Sequence, residues 1–345
     1  MQFVEVVTKG QADKICDQIA DAVLDEYLRR EPNSRVSLEV FGSHGMMVIG
    51  GEVTSKADFD VATVAKQVYH EIGYLDEIEP FVNIALDSPD SIRTSERGGA
   101  NDMCIASGYA TNATPQFLPA SLVLAQAIAK RLDDLRLTDS SFNWLRPDGK
   151  VMVGFDGQHP KFIKIMVQHD DSVDDSMVRT KLFERVVASM LRNLDGVKVD
   201  INYSGKITQG GFQVDTGVTG KKLAADTYGG VLPWGAGSLS GKDPSKIDRL
   251  SAYMCRFAAK NLVAMGAGRT VMIEAIYSRG EEKPVFLRAR TGEGKDLTET
   301  VKEKFDFRPA SILERLDLRR PIYKATACYG HFGRNEFPWE KLDVK

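Results

Sequence analysis

Cysteine is scarce in this chain: four residues in 345, at Cys16, Cys104, Cys255 and Cys328, and no CxxC pair among them. That excludes a disulfide framework and a cysteine zinc site, and it fits free thiols in a reducing cytosol. The five histidines (His44, His70, His159, His169, His331) lack metal-ligand spacing. Long apolar runs are absent too; Leu262–Gly268 falls far short of a membrane span. Neither sign of charge dominates, with Lys+Arg 45 against Asp+Glu 48 and a net charge of -3. A general nucleic-acid or membrane-surface binder is therefore not expected, although a local cationic pocket is compatible with the balance. Met1-Gln2-Phe3-Val4-Glu5 has no basic region followed by an apolar core, so no secretory leader is expected there. Low-complexity segments, short-period repeats and the motifs G-x-S-x-G, H-E-x-x-H and G-x-G-x-x-G after a strand are also missing.

What is present is ordinary globular composition, 43% hydrophobic and 27% charged, at a length suited to two or three compact units. Ile15, Ile19, Val23 and Tyr27 recur at helical spacing over 12–30, and the pattern stops at Glu31-Pro32-Asn33. Val36–Phe41 and Met46–Val53 read as strands about the turn Gly42-Ser43-His44-Gly45. Further helices are expected over 58–74, 119–137, 175–193 and 243–265. Further strands are expected over 82–86, 150–156, 162–169, 271–277 and 285–290. The polar stretch 88–100 reads as a mobile loop. A unit of two strands, a helix and a strand recurs loosely, which makes the fold class α/β or α+β with several sheet-plus-helix layers.

Three segments stand out chemically. Gly10-Gln11-Ala12-Asp13-Lys14 opens a helix, where an anion would gain from the helix N-terminus and Asp13 could hold a cation beside it. An N-capping Asp with a surface Lys explains the same residues. Asp215–Lys222 and Asp226–Gly230 set adjacent lysines beside glycines, which suits a polyphosphate or, equally, a solvated turn. Gly235–Asp248 invites a P-loop reading that fails twice. Ala236 occupies the first glycine position, and Asp243 follows the lysine where Ser or Thr is required. Lys242 and Lys246 are four apart and, on a helix begun at 243, would share a face that opposes the dipole unless an anion balances them.

Together these segments resemble the S-adenosylmethionine synthetase (methionine adenosyltransferase) family along nearly the whole chain. The carrying blocks are Asp13–Asp25, Gly50-Gly51-Glu52, Trp144–Lys150, Asp226–Gly230, Ser240–Asp248, Pro321–Lys324 and Tyr329–Arg334. The resemblance implies three similar sheet-plus-helix domains with pseudo-threefold symmetry, in sequence blocks 1–95, 98–207 and 208–345. It implies a cytoplasmic homodimer or dimer of dimers with active sites between subunits. The implied reaction joins ATP and L-methionine: sulfur attacks C5′, triphosphate leaves, and the triphosphate is then cut to pyrophosphate and phosphate.

By the same resemblance, Asp13 and Asp248 would hold two Mg²⁺ per site and Glu39 would ligate K⁺. Gln11, Lys150, Lys222 and Lys242 would carry catalysis. Asp148, Lys206, Ile207, Asp215, Lys221 and Ser238 would complete the ATP contacts, and Glu52, Asp102, Asp215 and Lys246 the methionine pocket. The chain also departs from the family. Gln11 stands where the family has a histidine, and Lys9 replaces an acidic residue. Ile207 replaces an aromatic, Lys206 and Lys221 replace arginines, and Trp234 stands where a histidine is common. The loop over 91–98 is shortened, with Arg93 nearest the family's methionine-contacting glutamine, and Arg319-Arg320 is unlike the family. These departures leave open a homologue that uses another thioether, one that hydrolyses ATP to triphosphate or its fragments, or a non-catalytic regulatory subunit.

Overall fold

The computed structural model describes residues 1–87 and 98–343. Most of the expected mobile loop, including Arg93, lies outside the described residues. In chain order, β1 (Gln2–Val7) leads into α1 (Ala12–Arg30), β2 (Arg35–Ser43), β3 (Met46–Thr54), α2 (Val61–Ile72) and β4 (Glu79–Ala85). Next come β5 (Cys104–Thr111), α3 (Ala120–Thr138), β6 (Leu145–Asp156), β7 (His159–His169), α4 (Asp175–Leu182) and β8 (Lys198–Ile201). The last part holds β9 (Gly217–Val218), α5 (Ile247–Ala264), β10 (Thr270–Tyr277), β11 (Phe286–Thr291), α6 (Thr298–Lys304) and α7 (Pro309–Arg315).

Local chemistry sets the ends of these elements. The Gln11 side chain caps α1, and the helix closes where Glu31 turns extended before Pro32. Asp60 caps α2 by accepting from the Ala62 N–H, which shortens the expected 58–74 helix, and Gly73 ends it at φ +117°. The expected helix 175–193 is α through Leu182, widens into a π-helical turn over Phe183–Val187 and resumes as α over Ala188–Met190. The expected helix 243–265 begins only at Ile247, with Lys246 as its cap. Asp243 holds the chain off the helical path by accepting from Val36 N and Ser245 N. Lys242 and Lys246 therefore do not share a helical face, and they do not jointly oppose the helix dipole.

The strands form three sheets, in the orders β1-β6-β7-β8, β4-β3-β2-β9 and β11-β10-β5. Each is covered by one long helix: α3 on the first, α1 on the second, α5 on the third. The expected three sheet-plus-helix units are present. Every sheet also borrows one strand from a distant part of the chain. β1 pairs antiparallel with β6, β9 with β2, and β5 with β10.

Helix α1 carries Asp13, Asp17, Asp21 and Asp25 at four-residue intervals, all buried on one face. Each accepts backbone N–H groups from a loop far along the chain: Val218 on Asp13 at 2.9 Å, Gly220 on Asp17 at 2.8 Å, Gly241 on Asp21 at 2.8 Å, and Tyr323 and Lys324 on Asp25 at 2.9 and 2.8 Å. Buried cations stand between them. Lys14 pairs with Asp17 and Asp226 at 3.0 and 2.6 Å, and Arg249 of α5 pairs with Asp21 at 2.8 Å. Gly217 and Gly241 allow the loops to come this close: a Cβ there would lie 2.1 Å from the Ala12 carbonyl oxygen and 2.0 Å from that of Leu38.

Because the Asp21–Arg249 pair is fully buried, removing one partner leaves an uncompensated charge. Asp21→Ala should cost about 3–5 kcal/mol of unfolding free energy, read from urea titration. A loss below about 1 kcal/mol would show that the pair does not hold α1 to α5.

Candidate active site

The glycine-rich segments converge on the first turn of α1. The Gln11 Oε1 accepts from the N–H groups of Asp13 and Lys14 at 3.0 and 3.3 Å, and its Nε2 donates to Asp13 Oδ2 at 3.2 Å. Gln11, not Asp13, is thus the cap. The Asp13 carboxylate faces the 217–222 turn, where Lys222 Nζ donates to Oδ2 at 2.6 Å and Lys221 lies 3.9 Å away. Ser238 adjoins this turn, since a Cβ on Gly220 would sit 2.5 Å from its Oγ. One loop further, Lys242 Nζ meets Asp248 Oδ2 at 2.5 Å, and the Gly237 N–H donates to Asp248 Oδ1 at 2.9 Å. Two carboxylate–ammonium pairs therefore stand side by side on glycine-rich backbone.

The start of β6 lies against the same turn. The Gly10 N–H donates to the Pro147 carbonyl at 3.1 Å, and Thr8 Oγ1 does so at 2.6 Å. This brings up Asp148, whose Oδ2 accepts from the Gly211 N–H at 2.8 Å and whose carboxyl feels the charges of Lys150 and Asp215. Lys150 and Asp215 are themselves exposed.

The remaining candidates lie around this centre. Lys246 is buried and pairs with Asp87 at 3.3 Å. The next N–H, of Ile247, is held by Asn101 at 2.8 Å, which sets exposed Asp102 near the start of α5. Ser37 of β2 faces Glu52 across one edge and bridges Lys242 across the other. Glu52 and Lys242 are thus two strand spacings apart, roughly 10 Å. Glu39 shares the open face of that sheet with Glu52, and both are exposed. Lys206 is turned away onto Asp171 at 3.1 Å, and the Ile207 carbonyl accepts from the His169 N–H. Among the described residues, no hydrogen bond or ion pair joins Glu39, Glu52, Lys206 or Ile207 to the lysine cluster.

Burial alone would raise the Asp13 carboxyl, but the Lys222 hydrogen bond and the Val218 N–H outweigh it and hold the group below its ordinary range. At Asp148 burial wins over the Gly211 N–H and Lys150, and the carboxyl is pushed up to about 6. Asp17, Asp21 and Asp226 support the site without being predicted site residues, although Asp226 opens a segment that stands out in the sequence. Yet the interval 13-17-21-25 is a visible signal for the first two.

Among the described residues, no three His, Cys, Asp or Glu side chains gather as a metal cage. Asp13 and Asp248 instead offer one hard-oxygen donor group each, next to lysines that suit phosphates. Mg²⁺ takes one or two carboxylates and fills its shell with water and phosphate oxygens. The donor set fits a divalent ion that is shared with a polyphosphate.

Three family models match the chain in order: S-adenosylmethionine synthetase, N-terminal domain, over residues 1–88; central domain, over 97–207; and C-terminal domain, over 209–341. The S-adenosylmethionine synthase of Petrotoga mobilis is 39% identical over 384 residues, covering 98% of this chain and 95% of the relative. Those of Desulforudis audaxviator and Thermus thermophilus are each 38% identical, again covering 98% of this chain and 95% of the relative.

Asp148 gives a pH test. Its carboxyl protonates near 6 when folded and at the ordinary 3.8 when unfolded, so the folded chain binds more protons between those values. The group therefore lowers stability as pH rises through that window, by up to about 3 kcal/mol in full. Asp148→Asn should melt above the parent at pH 7.5 and lose that advantage near pH 4. An advantage equal at both pH values would contradict the shift.

Proposed function

The chain belongs to the S-adenosylmethionine synthetase family and is a methionine adenosyltransferase, and on that premise we propose that its lysine cluster drives the transfer by neutralising an expelled triphosphate. The methionine sulfur attacks C5′ of ATP, the C5′–O bond breaks, and its electron pair leaves with the triphosphate. A thioether has no proton to lose, so the attack needs no general base. The demand falls on the leaving group, and fixed cations aimed at its developing charge lower the barrier more than any other group here can. The observation that carries this reading is the placement of Lys222 and Lys242 on Asp13 and Asp248, over glycine-rich loops.

In this mechanism Lys222 and Lys242, with Lys150 and Lys221, turn onto the phosphates. Asp13 and Asp248 would hold two Mg²⁺ and Glu39 would hold K⁺, ions that would supply further positive charge beside the phosphates. Asp148, Ser238, Lys206 and Ile207 shape the nucleotide site. Glu52, Asp102 and Asp215 receive the methionine ammonium, and Lys246, leaving Asp87, receives its carboxylate. The Gln11 amide, 3.2 Å from Asp13 at the start of α1, would donate to the triphosphate. Hydrolysis of the triphosphate to pyrophosphate and phosphate follows in the same cationic setting.

The open face of the sheet carrying Glu39 and Glu52 also exposes Phe41, Met46 and Phe81. A second copy of the chain, as a homodimer or dimer of dimers, would cover that apolar surface and complete the site. We place the reaction in the cytoplasm and divide the chain at 1–95, 98–207 and 208–345. No described helix is long and apolar enough to cross a membrane. A second reading follows from Gln11, which cannot carry a charge where the family has histidine: slow transfer, with ATP cut to triphosphate or its fragments independently of methionine.

Purified protein given ATP, methionine, Mg²⁺ and K⁺ should form the sulfonium product. Phosphate release that ignores methionine, with no sulfonium, would favour the second reading. Lys242→Met should lower kcat by about a hundred- to a thousandfold. Gln11→Ala should lower kcat about tenfold or more and, through the lost cap, stability by about 1 kcal/mol. A kcat unchanged in Gln11→Ala would leave Gln11 as a cap alone.

A further inference from the structure

We propose that the pocket between the start of β2 and α7 is a binding site for a small oxyanion, separate from the nucleotide site. The pocket holds about 170 Å³ and is lined by Asn33, Arg35 and Arg319, by Ser245, and by the Gly98-Gly99 backbone over an apolar floor from α7. That is small against the ~300–1,000 Å³ of sites that take nucleotides or drug-sized ligands, so the ligand is an ion. None of its lining residues is a candidate for ATP, methionine or metal contact.

Among the described lining residues the charge in the pocket is of one sign. Among the described residues, neither Arg35 nor Arg319 has an ion-pair partner, although most of the chain's buried cations do. Arg319 spends Nη1 on the Pro32 carbonyl at 3.2 Å, which fixes its guanidinium at the rim. The Arg35 Nη1 is buried and, among the described residues, has no hydrogen-bond partner. A buried charged donor left unmade costs free energy, and a guanidinium fork is matched by the paired oxygens of phosphate or carboxylate. The wall from Pro309, Ala310 and Leu313 lowers the local dielectric and strengthens such a contact. Ser245, also in the lining, is held by Asp243, which also fixes the Val36 N–H next to Arg35. An anion there joins β2 to the turn that precedes Lys246.

The test uses the full chain carrying Lys222→Met and Lys242→Met, so that anions are kept off the lysine cluster, whatever its role. Inorganic phosphate and, in a second arm, succinate are titrated by calorimetry. Binding tighter than roughly 10 mM, weakened at least tenfold by Arg35→Met and by Arg319→Met, supports the site, and the arm that responds assigns the ligand as phosphate or carboxylate. Arg35→Lys, which keeps the charge and loses the fork, should weaken binding less than Arg35→Met and guards against a folding defect, checked by circular dichroism. No binding in either arm, or binding unchanged in the arginine variants, overturns the proposal.

Discussion

Four carboxylates on one face of a single helix are the constraint on which the site depends. Asp13, Asp17, Asp21 and Asp25 are like charges at the spacing where such charges repel, and they are buried. They are tolerated because each accepts at least one backbone N–H group and because Asp13, Asp17 and Asp21 are also paired with cations. The converse matters more for function. Loops 217–222, 237–243 and 323–324 have little regular structure of their own, and these carboxylates fix where they run. The lysines that those loops carry are placed by α1 through backbone contacts, so a distant helix face sets the geometry of the lysine cluster. Glycine at 217 and 241 is needed for approach rather than for flexibility.

The same arrangement explains how cations cluster without a bound anion. Lys222 rests on Asp13 and Lys242 on Asp248, so each ammonium keeps a counter-charge at 2.5–2.6 Å. These pairs are partly exposed and are worth little in isolation. They are therefore easily exchanged: a carboxylate can give up its ammonium to a harder cation while the ammonium turns to a phosphate oxygen. Both partners change company at little cost, and the site is pre-organised in charge without being locked.

The three sheets with their covering helices, and the helical period of α1, are legible because burial leaves periodicity in the sequence. Strands β1 and β8 are not among the expected strands, and neither are the short edge strand β9 and the longer β5. β9 has only two residues, and β5 is small and mixed in character, Cys-Ile-Ala-Ser-Gly-Tyr-Ala-Thr, so neither gives a clear alternation. Helix α5 begins four residues beyond its expected start because Asp-Pro-Ser imitates a helix entry, whereas here Asp243 is drawn to Val36, which no local pattern reveals. In the site, the lysines and Asp13 are legible from composition around glycines. Their pairing is not, since Asp13–Lys222 spans a sequence separation of 209 residues.

Why the charged groups meet there follows from the strand exchange. The chain's first strand completes the sheet of the middle third, β9 of the last third completes the sheet of the first, and β5 of the middle third completes the sheet of the last. Two of the exchanges draw a connecting loop across a seam: 8–11 after β1 and 219–222 after β9. Polar backbone that cannot join a sheet must be satisfied at those seams, and the aspartates of α1 supply acceptors there. A cationic loop arriving at an acidic acceptor is thus a consequence of how the units interlock. Gln11 fits the same logic, because its amide satisfies two helix N–H groups with one atom and braces Asp13 with the other. A neutral imidazole has an acceptor nitrogen with one lone pair where the amide oxygen has two, so the amide better accepts from both helix N–H groups while it donates to the carboxylate. At this position the chain gives up a chargeable group and gains a tighter hold on the carboxylate beside it.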